Sequence, residues 1–511
     1  MKKILALGHQ EFSEVISNNC IYVDKTETIY KLINEGDYYF LSRPRRFGKS
    51  LLTNTIKELF LSNKKLFKDL WIYDKWNWDK KHEVIKISFS NMDYQTHGLT
   101  LAITNKLDDI AKENKIKLNR KTPADKFEEL IKKMSETEKV AVLIDEYDKP
   151  IIDYMNDIPQ AEENRGILKN FYSIIKDADK YIRFFFLTGV SKFSQVSIFS
   201  DLNNLKDITI NKNFSQIVGF TKEEVEKYFP DYISDAAKTF EDIFPDIMQE
   251  IKKWYNGYSW DGKTYVYNPV SLMNFFENQD FRNFWFSTGT PTMLMDIIKE
   301  QKLTPFDIEH TYTSTEILDK YDFKNIKLSS LLFQTGYLTI ESINLRNRRI
   351  KLHYPNNEVE EAFSKHILAK LADAYLDRTD SLLFKIADSF SDNTIEKLIQ
   401  FLNTLFKNIP YSIIEDKESY FHSLFYLVMK LTNYQIDAEV LTIDGRIDAV
   451  VKTDTDIYII EFKINQSAKK AVQQIKDKEY ALKYKDDKRK ISLLGINFDT
   501  KKKKIDDYLL E

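Results

Sequence analysis

The stretch that decides the fold is Tyr38-Tyr39-Phe40-Leu41-Ser42-Arg43-Pro44-Arg45-Arg46-Phe47-Gly48-Lys49-Ser50-Leu51-Leu52. An aromatic, apolar run of strand length passes into a short basic loop, and from Leu51 to Leu61 apolar residues return at helical spacing. Strand, loop, Gly-Lys-Ser and helix is the layout of a phosphate-binding loop. Backbone N–H groups at the start of such a helix point at an anion, and the helix dipole favours negative charge there. On this reading Arg45, Arg46, Phe47, Gly48, Lys49, Ser50 and Leu51 are the nucleotide contacts. Lys49 reaches the β- and γ-phosphates and the Ser50 hydroxyl holds a magnesium ion. Arg43 stands where the usual pattern has glycine, five positions before Gly48, so a plain helix start with a lysine in its first turn is the competing reading.

A second stretch, Lys139-Val-Ala-Val-Leu-Ile-Asp145-Glu146-Tyr147-Asp148, reads as a buried parallel strand with acids at its C-terminal end. Ligands of open α/β sheets sit at the carboxyl ends of the strands, so these acids should face the loop. Asp145 then binds Mg²⁺, directly or through water. Glu146 orients and deprotonates the water that attacks the γ-phosphate. A third strand, Tyr181 to Leu187, runs into Thr188-Gly189-Val190-Ser191-Lys192. Either Thr188 or Ser191 is placed to hydrogen-bond the γ-phosphate or the water, unless the segment is simply a polar turn after a core strand.

Tyr22-Val-Asp-Lys-Thr26, Arg43-Pro-Arg-Arg-Phe-Gly-Lys-Ser50, Leu143-Ile-Asp-Glu-Tyr-Asp148 and Thr188-Gly-Val-Ser-Lys-Phe193 together resemble the AAA-ATPase-like family of prokaryotic proteins. Members of that family commonly carry a C-terminal nuclease-like domain. The resemblance runs from about residue 5 to the C-terminus. It implies that arginine at position 43 is a family trait, and it leaves open whether ATP is hydrolysed quickly or merely bound. It also suggests that Tyr22–Thr26 lies over the nucleotide base; the alternative is simple capping of the following helix by Asp24 or Thr26.

Near the C-terminus, Asp444-Gly-Arg-Ile-Asp448-Ala-Val-Val451 is a turn entering a strand, and Asp456-Ile-Tyr-Ile-Ile-Glu461-Phe-Lys463 is the next strand. Glu461 and Lys463, two apart, share one face. A hairpin between the strands brings Asp448 beside them. Phosphodiester hydrolysis needs carboxylates to fix a divalent metal that activates water, and it gains from a lysine that offsets developing negative charge. These residues resemble the PD-(D/E)XK nuclease superfamily over about residues 415–500, although Ile447 stands where the family name has proline. The resemblance implies Asp448, Glu461 and an upstream acid as metal ligands, that acid being Glu418 before Glu439. It implies Lys463 as catalytic cation and Gln474, on the helix after the strand, as the helical glutamine. A solvated sheet face carrying the same residues is the bland alternative. From Lys463 to Lys504 there are fourteen Lys/Arg against five Asp/Glu, a surface suited to phosphate contacts.

The 511 residues carry 75 basic and 78 acidic side chains, a net charge of −3, so the whole chain is not a polycation coating nucleic acid. One cysteine, Cys20, excludes an internal disulfide and a Cys-rich zinc site, and fits a cytoplasmic protein. The apolar run before His9 is too short for a signal peptide, and no run approaches the ~18 apolar residues of a membrane span.

The expected fold class is α/β. A P-loop ATPase core with a parallel sheet and flanking helices occupies 1–215, and a helical and winged-helix lid occupies 216–345. A helical connector follows over 346–414, and a nuclease-like α/β domain over 415–511. Within the lid, Thr221 and Glu224 form a capping box. Trp254 to Asn268 carries a β-hairpin signal, with its aromatics serving a core rather than base stacking. The expected function is ATP-gated, metal-dependent cleavage of nucleic acid, DNA in preference to RNA, with ATP and Mg²⁺ (or Mn²⁺ at the nuclease site) as cofactors. The alternative is a nucleotide-dependent switch or scaffold that binds nucleic acid without cutting it. No arginine finger is recognisable, so an oligomer is neither required nor excluded.

Overall fold

The computed structural model describes residues 2–192, 199, 202, 204–285, 294, 311–314, 318, 327–344, 346–371, 376–392, 394–407, 418–432, 434–442 and 445–511. The chain divides into two units, Met1–Thr288 with His310–Val359, and Gly289–Glu309 with Glu360–Glu511.

The first unit is built on five parallel strands: β1 (Tyr38–Ser42), β2 (Val84–Ser88), β3 (Val140–Asp145), β4 (Ile182–Gly189) and β5 (Lys206–Asp207), in the order β2-β3-β4-β1-β5. All residues of β1 and β3 are buried, as expected of strands covered by helices on both faces. Because every strand is parallel, the carboxyl ends of β1, β3 and β4 lie along one rim. There Ser42 pairs with Gly189 and Ile144 with Leu187.

The helix Lys49–Phe60 starts at Gly48, which has left-handed φ of 86°. Its Leu52, Ile56, Leu59 and Phe60 are buried, the spacing of an apolar stripe laid on a sheet.

Four helices, Lys222–Tyr228, Pro230–Thr239, Ile247–Tyr255 and Pro269–Asn278, share a core rich in aromatics, among them Phe229, Tyr255, Phe275 and Phe276. The capping box of Thr221 and Glu224 opens the first, and Asn268 caps the last with Pro269 in its first turn. Between the third and fourth, Tyr258, Trp260 and Tyr267 are buried. The segment that signals a hairpin forms only single bridges, Tyr258 to Val266 and Phe220 to Tyr267. Its tip is an Asx-type turn in which Asp261 accepts from the amides of Lys263 (2.9 Å) and Thr264 (2.7 Å), so those donors are not offered to a ladder. The helix Leu328–Thr335 ends at left-handed Gly336. Beyond it, β7 (Thr339–Asn344) and β8 (Arg349–His353) join β6 (Tyr312–Ser314) in an antiparallel sheet ordered β6-β8-β7.

The second unit contains a five-stranded mixed sheet of β9 (Gln435–Thr442), β10 (Gly445–Lys452), β11 (Asp456–Ile464), β12 (Lys490–Asp499) and β13 (Lys504–Leu510), in the order β13-β12-β11-β10-β9. β10 and β11 are antiparallel, whereas β11 and β12 are parallel and joined through the helix Ala468–Asp477. Ile447, Val450, Ile457, Ile459 and Ile475 form one core between sheet and helix. Among the described residues no helix is long and apolar enough to cross a membrane.

Candidate functional site

At the rim of the first sheet, Arg46 and Gly48 both have positive φ, 70° and 86°, while Phe47 between them does not. Alternating backbone handedness of this kind turns successive N–H groups to one side, an anion-binding concavity that runs on into the N-terminus of Lys49–Phe60. The Lys49 ammonium is buried and donates to the carbonyls of Arg43 and Pro44, 2.9 Å each. Burial pushes it below the usual lysine range, opposed by the charges of Glu146, Asp145 and Asp148. Ser50 Oγ donates to Asp145 Oδ2 at 2.6 Å, and the Thr188 hydroxyl donates to the other oxygen of Asp145. Hydroxyl and carboxylate are thus already paired, the hard-oxygen donor set that suits a magnesium ion bound with nucleotide phosphates. Glu146, at left-handed φ of 54°, accepts from Ser90 Oγ. Sequence reasoning missed Ser90. It follows β2, the strand next to β3, so the same carboxyl-end rule that singled out Glu146 applies to it.

Arg43 does not line the cavity beside the loop. Its side chain is fully buried and turns into the protein, donating to the carbonyls of Ser42 (2.9 Å), Thr209 (2.7 Å) and Phe214 (3.3 Å). It also stacks 3.9 Å over the Trp260 ring. Burial pushes the guanidinium down to about 9 despite Asp207 and Asp261. Arg46 donates to the Phe284 carbonyl. Ser191 is buried as well, and both its amide (2.6 Å) and its hydroxyl (2.8 Å) go to Asp148 Oδ2. Asp148 is itself buried, which raises its carboxyl above the usual range while Ser191 and Val190 oppose that rise. A buried carboxylate requires such donors, which is why the Ser191 hydroxyl is directed there.

Beside the loop lies a cavity of about 520 Å³, lined by Arg45 to Leu52 and Glu146 on one side and by Ile21, Tyr22, Val23, Val218 and Met273 among its apolar walls. That volume lies within the range of small-molecule and cofactor sites. Lys25 pairs with Glu224 at 2.6 Å, tying the Tyr22–Thr26 segment to the helix that Glu224 caps.

In the second unit, Asp448 on β10 accepts from the Phe462 amide at 2.9 Å. Glu461 is 2% exposed; its Oε1 accepts from Lys463 Nζ at 3.1 Å and from the Gln474 amide. Lys463 Nζ also donates to the Phe462 carbonyl at 2.9 Å. Two strands and one helix therefore bring Asp448, Glu461, Lys463 and Gln474 together. Close packing of the helix makes this possible. Glu461 pairs with Gly495 on β12, and a Cβ on Gly495 would stand 2.3 Å from the Ala468 carbonyl. A lone glycine in the apolar run Leu493-Leu-Gly-Ile-Asn-Phe498 was the available signal for this approach. Glu418 opens the helix Glu418–Leu431, but its side chain and that of Glu439 lie outside the described residues. Among the described residues, no group of three His, Cys, Asp or Glu side chains forms a cage for a metal.

Residues 6–199 match the family model described as predicted AAA-ATPase, and 416–508 match the PD-(D/E)XK nuclease superfamily. The chain is also 35% identical, over all of its length and 99% of the relative's, to a protein from Azotobacter chroococcum mcd 1 described as an uncharacterized protein in the vnfD 5' region. The chain belongs to the AAA-ATPase-like family. Its C-terminal segment is a PD-(D/E)XK nuclease-superfamily domain. No solved structure matches it. In this AAA-ATPase-like protein the four motifs quoted from the sequence fall within the first match up to Phe193, and Asp448, Glu461, Lys463 and Gln474 all fall within the second.

Proposed function

We propose that this protein binds and hydrolyses ATP in its first unit, and that the nucleotide state gates metal-dependent cleavage of nucleic acid phosphodiesters by its second. The observation that carries the nuclease half is the meeting of Asp448, Glu461, Lys463 and Gln474. Asp448 and Glu461, with Glu418 as the third candidate, would hold Mg²⁺ or Mn²⁺. A divalent ion bound there acidifies water and polarises the phosphate. Lys463 is placed to offset charge that develops on the phosphate. Gln474 and the Phe462 amide hold the two carboxylates in position. The basic surface from Lys463 to Lys504 supports an extended polyanion as substrate, DNA before RNA.

For the ATPase half, the backbone of Arg46 to Lys49 would cradle phosphate, and Lys49, now on two carbonyls, would supply the cation for the phosphate oxygens. Ser50 and Asp145 would hold Mg²⁺ bound with the nucleotide, and Glu146, which accepts from Ser90, would take the proton from the attacking water. The cavity walls of Ile21, Tyr22, Val23 and Met273 suit a flat apolar base. The β6-β8-β7 sheet with its preceding helix supports a winged-helix role in the lid.

The test is digestion of DNA and RNA by purified wild type and Lys463→Ala, in Mg²⁺ or Mn²⁺, with and without ATP. Wild type should cut, and the variant should cut about 100-fold more slowly or worse with ATP turnover intact. Lys49→Ala should lose ATP binding. Wild type that leaves both nucleic acids intact under every condition overturns the cleavage reading. Nucleic-acid binding unaffected by Glu461→Gln would then favour a non-cutting switch.

A further inference from the structure

The chain passes from the first unit to the second twice, after Thr288 and after Val359. Just before the first crossing, the amides of Phe284 and Trp285 both donate to Glu358 Oε1, at 2.8 and 2.9 Å. Glu358 is fully buried and stands just before the second crossing. One carboxylate therefore ties both exits of the first unit together.

The same two residues are also fastened to the phosphate-binding loop. Arg46 donates to the Phe284 carbonyl. The Trp285 ring packs at Gly336, and the space beside Gly336 is filled by Pro44 of the loop, 2.7 Å from where a Cβ would stand. Trp285 also packs edge-on against Tyr337, 5.1 Å between centroids. Asn356 continues the connection, donating to the Asn256 carbonyl at 2.8 Å and accepting from the Val359 amide at 3.1 Å.

Resting on the nucleotide reading above, we infer that Arg46 is a relay: a nucleoside triphosphate on the loop competes with the Phe284 carbonyl for its guanidinium, and so loosens the paired exits to the nuclease unit. Arg46 lines the 520 Å³ cavity while its guanidinium donates to the Phe284 carbonyl and interacts with the charge of Glu358. A bound triphosphate brings several negative charges to the guanidinium and can accept from it in bidentate fashion, which a single carbonyl cannot do. A diphosphate lacks the outermost group and competes less. The signal therefore depends on the γ-phosphate, the group whose loss is the reaction.

Hydrogen exchange of the full-length protein tests this, with a non-hydrolysable ATP analogue, with ADP and without nucleotide, each alongside calorimetric binding of the same nucleotide. In wild type the triphosphate should speed exchange in peptides covering 281–285 and 356–362 by roughly fivefold to tenfold, the consequence of losing one net hydrogen bond, and ADP by less. Arg46→Met should exchange fast in those peptides in all three states. Glu358→Gln, which keeps an acceptor for the two amides, should retain the nucleotide response. Wild type that binds the analogue without any change at these peptides, or an Arg46→Met variant that still responds, overturns the relay and leaves the ATP reading standing. Wild type that binds no nucleotide overturns both.

Discussion

Replacing Arg43 by glycine would restore the usual phosphate-loop pattern, and the structure predicts that it damages the protein instead. In the native chain the guanidinium satisfies the carbonyls of Ser42, Thr209 and Phe214 and lies on Trp260. Glycine removes this donor from the carbonyls of Ser42 and Thr209, at about 1–3 kcal/mol each, while Phe214 keeps the Ile217 amide, and it gives up a desolvated cation–π contact of about 2 kcal/mol. It also leaves a hole of roughly 100 Å³, which costs about 2–3 kcal/mol if it stays unfilled. Against this stands the relief of an ion already strained by burial: a guanidinium pushed down to about 9 corresponds to about 5 kcal/mol of desolvation that the variant no longer carries. The losses exceed the relief, and the net is a destabilisation on the order of 3 kcal/mol. Arg43→Met, which fills most of the hole and removes the charge, should lose about half as much. Urea denaturation followed by tryptophan fluorescence measures both. ATP affinity, measured under conditions where each variant is folded, should stay within about threefold of wild type, because this side chain does not reach the phosphate cradle. A glycine variant as stable as wild type, or one that is stable yet has lost ATP affinity, refutes the assignment of Arg43 as an anchor.

Other perturbations follow from the same geometry. Glu146→Gln should slow ATP hydrolysis by about 100-fold or more with nucleotide binding retained, and Ser90→Ala, which only frees the glutamate, by about tenfold or less; steady-state turnover beside calorimetric affinity checks both. Gly495→Ala forces a Cβ against the Ala468 carbonyl and should destabilise the C-terminal unit by about 1–3 kcal/mol. Because the displaced helix carries Gln474, it should also slow cleavage more than any single surface lysine change, as read by denaturation midpoint and digestion rate. Burial pushes the Glu358 carboxyl up to about 7, with the amides of Phe284 and Trp285 acting against that. The native protein therefore holds a proton that the unfolded chain releases. This contribution is complete below the ordinary glutamate range near 4.3 and is lost as pH rises through 7, on the order of 3 kcal/mol in all. Urea midpoints from pH 5 to 8 should fall in wild type relative to Glu358→Gln, and parallel curves would refute it.

What the sequence made legible is what obeys a short period or a sharp change of polarity. The runs Tyr38–Ser42 and Val140–Asp145 end abruptly in polar residues, and parallel pairing of both with β4 puts their carboxyl ends on one rim, where Ser50 meets Asp145. Glu461 and Lys463 share a face because strands alternate, and the turn before Ile457 returns the chain so that Asp448 lies alongside. The residues that sequence reasoning left unread act across long separations through the backbone. Arg43 satisfies carbonyls more than 160 positions away, and Glu358 collects two amides from more than 70 positions upstream. A backbone partner has the same donor and acceptor whatever its side chain, so such bonds leave no trace in the partner's residue type. The Arg-for-Gly departure was therefore visible, while its reason was not. Arg46 and Gly48 supply the left-handed backbone positions of the loop, which releases position 43 from the glycine requirement and lets it serve as an anchor for the segment after β5. On that argument, the departure from the usual pattern is not evidence against nucleotide binding.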